Sequence, residues 1–292
     1  MNRLQFAITK NKLMTENAKR AMKFIEKKCA GVSCIPAKLD ISLNDPALKL
    51  IEAVKSGRVN AAAISLEKLQ EYILANKEAE KIITAALFGG NDNRYVLMTK
   101  RGRKKSADDL LVECHSTLSS NQLMKIFDGI ECVGVKGGIN TEIGRLVQEK
   151  CDGILLPSAD VALLNLNKNI MLKYNYFDER KLVPQIGSGV TAIIFRKDYE
   201  LADSLLEISD IYTTKRLELE YMLKQKLDTV YCDDEDVNYD CIYATIKRGI
   251  IYIYAYVEKR HDSRHFAVEG NYGNREKIIL KIAEQIEEYL EY

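Results

Sequence analysis

No apolar run in this chain approaches the ~20 residues that a membrane-spanning helix needs. The first residues, MNRLQFAITKNK, lack the long apolar segment of a signal peptide, so a cytoplasmic location is expected. An excess of one charge is missing too. The 43 basic and 42 acidic side chains leave a formal charge of +1, which gives no global pull toward nucleic acid or an anionic membrane. The seven cysteines, at positions 29, 34, 114, 132, 151, 232 and 241, include no C-x-x-C pair. An odd, scattered set argues for reduced core thiols and against a disulfide framework or a zinc site. His115, His261 and His265 lack metal-ligand spacing, and the last two, in KRHDSRHFAVEG, read as an exposed loop. The stretch GGINTEIG fails the G-x-G-x-x-G spacing of a dinucleotide fingerprint. The basic run KRGRKKS (100–106) has no interleaved aromatic residues and reads as a solvated interdomain hinge.

What is present is an ordinary globular composition, 47% hydrophobic and 29% charged, in 292 residues. That length can bury a large core and suits two or three domains. Strand and helix patterns alternate over the first two thirds. LQFAITK reads as a strand, NAKRAMKFIEKKC as an amphipathic helix, PALKLIEAVKSG as a helix closed by Gly57, and VNAAAIS as a short buried strand. This alternation predicts an α/β domain with a largely parallel sheet.

A weak internal repeat runs through the chain. LIEAVKSGRVNAAAISLEKL (50–69) resembles LVQEKCDGILLPSADVALLNL (146–166), and LFGGNDNRYVLMTKRG (88–102) resembles QIGSGVTAIIFRKD (185–198). Two similar lobes with crossing connections follow, with a cleft beyond the carboxyl ends of their strands. The region 199–228 has helical spacing, YCDDEDVNYD (231–240) reads as an acidic loop, and CIYATIKRGIIYIYAYVEKR as two strands around a KRG turn. REKIILKIAEQIEEYLEY is an amphipathic closing helix. The expected units are 1–95 with 187–212, then 96–186, then a small α+β domain over 213–292.

Several segments together resemble the hydroxymethylbilane synthase (porphobilinogen deaminase) family. The family pattern R-G-N-V-D-T-R-L, a helix, then D-A-I-I-L-A-x-A-G-L-x-R-L is similar to KGGINTEIGRLVQEKCDGILLPSADVALLNL. P-x-x-G-Q-G-A-L-x-I-E-x-R resembles PQIGSGVTAIIFR (184–196), D-x-A-V-H-S-L-K-D-L resembles NAAAISLEKL (60–69), and R-x-D-P-R-D-x-L-V resembles GNDNRYVLM (90–98). The resemblance implies an α/β fold: two periplasmic-binding-protein-like lobes with mixed sheets and crossing connections, plus a small C-terminal α+β domain. It implies deaminative polymerisation of porphobilinogen to hydroxymethylbilane, in tetrapyrrole biosynthesis, on a thioether-linked dipyrromethane cofactor. Carboxylated pyrroles call for arginine clamps. A cleft acid must bind the pyrrole N–H groups and stabilise the azafulvenium cation.

The sequence departs from the family at the positions that do this work. Lys68 stands where S-L-K-D-L supplies its aspartate; Glu67 is one position away and is expected to point elsewhere unless the backbone is shifted. The arginines of G-T-S-S-L-R-R become Ser119 and Ser120, in CHSTLSSNQL. Lys136 and Glu142 replace the two arginines of R-G-N-V-D-T-R, and Lys10 and Lys12 replace the Arg and Ser of T-R-x-S-x-L-A. The expected cleft lining is Ser65, Thr117, Gly137, Gly138, Thr141 and Ser188, with the glycines opening onto a helix N-terminus suited to an anion.

The cofactor cysteine corresponds best to Cys232 and next to Cys241, yet four acidic residues at 233–236 follow Cys232 and would make it a poorer nucleophile. Two readings remain open. One is a divergent synthase using Glu67 or another acid. The other is a non-catalytic homologue that binds a different small ligand, expected to be anionic, in the cleft. A two-lobed solute-binding protein is a third, weakened by the missing export signal and by a third domain without a purpose there. A monomer is expected.

Overall fold

The computed structural model describes residues 2–41, 46–89, 92–102, 109–135, 139–232, 234–260 and 262–291. The chain begins with a β-α-β unit. Strand β1 (Asn2–Ile8) pairs in parallel with β2 (Val32–Lys38), and α1 (Lys12–Lys28) crosses between them. Asn11 starts α1 by accepting from Met14 N–H, and Ala18, Ala21 and Ile25 form the apolar stripe that α1 lays on the sheet. Helix α2 (Pro46–Lys55) leads into β3 (Ala61–Ser65), whose first four residues are all buried. Then come α3 (Leu66–Ala75), α4 (Ala79–Ile82) and β4 (Ile83–Gly89).

The chain now crosses to a second sheet with β5 (Tyr95–Lys100), β6 (Leu110–Cys114), α5 (Thr117–Ile126), β7 (Ile130–Gly134), α6 (Ile139–Val147), β8 (Gly153–Pro157), α7 (Ser158–Leu163) and β9 (Leu172–Tyr176). It returns to the first sheet with β10 (Val190–Arg196). The strand orders are β2-β1-β3-β10-β4 and β7-β6-β8-β5-β9. In each sheet four strands run in one direction, and the crossing strand, β10 or β5, runs antiparallel between two of them. The two lobes therefore share one topology, and β5 and β10 are the strands that the second sequence repeat pairs. The α/β architecture of two lobes with mixed sheets and crossing connections is as expected.

The crossings lie between β4 and β5 and between β9 and β10, not at KRGRKKS. Lys100 is the last residue of β5, paired to β9, and Lys100 makes an ion pair with Glu149 within the same lobe. Positions 103–106 of that run lie outside the described residues.

Helices α8 (Ala202–Glu207) and α9 (Ile211–Tyr231) lead to a meander of β11 (Val237–Lys247), β12 (Ile250–Lys259) and β13 (Asp262–Asn271), closed by α10 (Arg275–Glu291). The segment read as an exposed loop is mostly β13. Phe266 and Val268 are buried in its core, and His265 sits opposite Tyr256 with ring centroids 4.8 Å apart. His261 lies outside the described residues. The acidic loop is also shorter than expected, because β11 starts at Val237. The alternation in IIYIYAYV buries Ile251, Ile253, Ala255 and Val257 against α9 and α10.

Buried polar contacts tie the third domain to both lobes. Arg216 and Glu220, on α9, are 2% and 0% exposed and lie 3.6 Å apart. Glu220 accepts from the N–H groups of Gly187, at 3.0 Å, and Ala244, at 3.1 Å, while Arg216 donates to Ser188 O at 3.3 Å. With its amide turned to satisfy both neighbours, Asn93 donates to Ser188 O and accepts from Arg216 at 2.9 Å. From the second lobe, Gln122 exchanges hydrogen bonds with Val183 and donates to Cys241 Sγ at 3.3 Å.

Candidate functional site

Each lobe presents a helix that starts directly after its central parallel strand, and these two helices set the cleft. Ser65 caps α3 by accepting from Lys68 N–H at 3.4 Å. Ser158 begins α7 and donates to Asp92 O at 2.7 Å. Two residues beyond each serine lies an acid, Glu67 in the first lobe and Asp160 in the second, and Asp160 acts electrostatically on Glu67. The lobes also touch through α1, which packs against α7 and sets Leu13 into the second lobe's core.

Behind Asp160 stands a further pair. His115, just after β6, bonds through Nε2 to Glu142 Oε2 at 3.0 Å. Glu142 is 0% exposed, and its Oε1 is buried without a hydrogen-bond partner. Burial, reinforced by Asp160 and Glu71 and opposed by Lys68 and His115, pushes the Glu67 carboxyl up to about 7. Burial, with Glu142 adding and His115 opposing, pushes Asp160 up to about 6. Burial works against a charged His115, but Glu142, Asp160 and Glu113 outweigh it and its pKa lies above the ordinary value.

Among the described residues, two further charged pairs are Lys68 with Glu71 at 2.6 Å and Arg145 with Glu113 at 2.5 Å. A cavity of about 450 Å³ opens beside His115, lined by Thr117, Ser120, Met124, Cys132 and Val133 among others. Among the described residues, no group of three or more His, Cys, Asp or Glu side chains is placed to hold a metal ion.

This arrangement bears on the expectation for positions 67 and 68. Helix α3 starts at Leu66, and Glu67 in its first turn is within electrostatic reach of Asp160 and His115. The Lys68 side chain is 54% exposed and pairs with Glu71 along its own helix. Ser188 is 1% exposed and takes part in the Arg216 contacts through its carbonyl. Ser119 is buried and donates to Ser116 O, as does Ser120, which also lines the cavity. Thr117 and Thr141 are exposed, at the starts of α5 and α6. Lys10 is exposed and pairs with Asp40 at 2.8 Å, and Lys12 is exposed in the first turn of α1. Lys136, Gly137 and Gly138 lie outside the described residues.

Cys232 is exposed at the end of α9. Cys241 is 1% exposed inside β11, and burial raises its thiol well above the ordinary range. Sequence reasoning did not name Asp160 and gave His115 and Glu142 no role. The signal was there in the repeat, which sets ISLE against PSAD.

A model of the family described as "Porphobilinogen deaminase, dipyromethane cofactor binding domain" matches residues 48–204. The porphobilinogen deaminase of Clostridium botulinum (strain Kyoto / Type A2) is 27% identical over 171 residues, covering 56% of this chain and 54% of that protein. That of Clostridium perfringens (strain SM101 / Type A) is 31% identical over 110 residues, 37% of each chain. The chain spans about half the length of the curated relatives it matches. Among solved structures, the periplasmic VFT2 domain of Bordetella pertussis BvgS has a TM-score of 0.47 at 13% identity, covering 70% of this chain and 86% of that one. An ancestral arginine-binding protein bound to glutamine has a TM-score of 0.43 at 15% identity, covering 80% and 95%.

Proposed function

The chain belongs to the porphobilinogen deaminase family, and from that premise we propose that it is a non-catalytic member, binding a small ligand between its lobes in place of a growing pyrrole chain. The ligand lies between the unit 1–95 with 187–212 and the unit 96–186, while 213–292 braces both. The observation that carries the reading is the charge at the cleft centre. Three carboxylates and one imidazole stand where polyanionic pyrroles require guanidinium groups around a single acid.

The residues present do not fit a dipyrromethane. Its carboxylates would meet Glu67 and Asp160, with Glu142 buried nearby. Of the two candidate thiols, Cys241 is enclosed in β11 beside Gln122 and Cys232 is an exposed helix-end cysteine. Serines 119 and 120 spend their hydroxyls on the first turn of α5.

Protein produced in cells that supply porphobilinogen tests this directly. An intact mass equal to the sequence mass, with no uroporphyrin formed from porphobilinogen, is expected. A mass higher by one dipyrromethane together with pigment formation overturns the reading. A second reading, a divergent synthase, draws on Glu67, an acid at the cleft that holds its proton near neutrality. It requires that pigment form and that Glu67→Gln abolish it. The proposal places the protein in the cytoplasm; among the described residues no helix is long and apolar enough to cross a membrane.

A further inference from the structure

The second lobe holds a sulfur-lined cavity that a ligand between the lobes leaves unused. Strands β6 and β7 run parallel, with Val112 beside Cys132 and Cys114 beside Gly134. Alternate residues of a strand share a face, so Cys114 and Cys132 lie on the same side of neighbouring strands, the side that packs on α5. Both line the cavity of about 450 Å³. Their side chains interact with each other, and Cys132 Sγ donates to Ser120 O at 3.8 Å. The facing wall is α5. Thr117, Asn121 and Met124 recur at helical spacing along one side of it, which brings a thioether to the same space. Cys114 is 3% exposed and Met124 is 40% exposed, so the cavity reaches from the core to the surface.

We propose that Cys114 and Cys132, together with Met124, bind a soft monovalent metal cation, copper(I), in this cavity. Thiolate and thioether sulfur are the donors that select copper(I) over harder ions. Copper(I) is satisfied by two or three sulfur donors, whereas a structural zinc ion takes four ligands from Cys, His and carboxylate side chains. Among the described residues, no group of three or more His, Cys, Asp or Glu side chains is placed to hold a metal ion, so the cavity falls short of the zinc set but not of the copper(I) set. His115 lies at the cavity with its Nε2 engaged by Glu142, which leaves the sulfurs as the donors. Binding involves no redox step. The cation replaces the thiol protons, which leave to solvent, and copper stays in its +1 state. The site is separate from the carboxylates between the lobes and does not depend on whether the cleft is catalytic.

Anaerobic titration of the full, reduced chain with copper(I) against a coloured copper(I) chelator tests it. One copper per chain is expected to be held against the chelator, seen as loss of the chelate colour and as one added copper in the native mass spectrum. Cys114→Ser and Cys132→Ser are each expected to weaken binding by more than the roughly hundredfold that loss of a supporting residue costs a metal site, and Met124→Leu by about tenfold. Cys232→Ser, at the exposed end of α9, is expected to leave it unchanged. Bound copper is also expected to slow alkylation of Cys132 by iodoacetamide, read by peptide mass, while Cys232 reacts as before. That measurement needs no substitution and stands even where a cysteine variant misfolds. Excess zinc(II) is not expected to displace the copper. A chain that holds no copper, equal retention by both cysteine variants, an unprotected Cys132, or displacement by zinc overturns the inference. Pigment formation from porphobilinogen overturns the non-catalytic reading and leaves the copper result standing, so the two fail separately.

Discussion

Glu67 shows how a single side chain's role depends on where a helix begins. One residue's difference in the start of α3 decides whether position 67 or 68 faces the second lobe, because successive helical side chains lie about 100° apart. The sequence shows both residues but not that angle, so Glu67 was expected to point away. Its environment has a consequence for stability. An acid with a raised folded-state pKa binds its proton more tightly in the native state than in the unfolded chain. Stability contributed by the neutral acid is thus lost as pH rises from 4.5 through about 7. Glu67→Gln removes that loss. The variant is expected to be more stable than the parent by about 1–3 kcal/mol at about pH 8, with the gain nearly gone at about pH 5. Thermal unfolding at the two pH values checks this, and a gain that does not change with pH refutes it. Asp160→Asn is expected to behave in the same direction over a window that closes nearer to 6. Asp160 escaped sequence reasoning because nothing local marks it, and only its position opposite Glu67 gives it meaning.

Among the elements, the ones with strong periodicity were legible. The stripe Ala18, Ala21 and Ile25 in α1, the all-buried run of β3, and the alternation of β12 each follow from spacing alone. Strand β13 was missed because its solvent face carries Ser263, His265 and Glu269, and its buried positions are only Phe266 and Val268. Such an edge strand looks like a loop until α10 covers its inner face. Helix α9 joins the first lobe to the third domain, and its start is fixed by Asp210. The Asp210 carboxylate accepts from the N–H and hydroxyl of Thr213, both at 2.7 Å, while its own N–H donates to Leu87 O at 2.8 Å. Asp210→Ala is expected to lower stability by about 1 kcal/mol, read as a shift of the urea midpoint with an unchanged slope. A shift indistinguishable from zero would show that the cap is dispensable.

For the whole molecule, the repeat in the sequence anticipated two lobes of one topology, and the strand orders are equivalent. The junction of three units around Arg216 and Glu220 was not anticipated. Ser188, expected in the cleft, belongs to that junction. Glu220, whose burial raises its pKa against the pull of Arg216, depends on the guanidinium and on two backbone N–H donors. Removing one partner of a buried pair leaves an uncompensated charge, so Arg216→Met is expected to cost about 3–5 kcal/mol. That is several times the loss from Asp210→Ala. Limited proteolysis between the second lobe and α9 is expected to accelerate with it. An Arg216→Met protein as stable and as resistant as the parent would show that the junction does not hold the third domain in place. The sequence by itself determined the family, the alternating α/β pattern and the doubled lobe, because these are written in local periodicity and in motif order. Only the tertiary structure decided which charges meet. Glu67, His115, Glu142 and Asp160 are far apart in the chain, and their common environment arises when two lobes close on each other, a relation that no spacing along one strand or helix encodes.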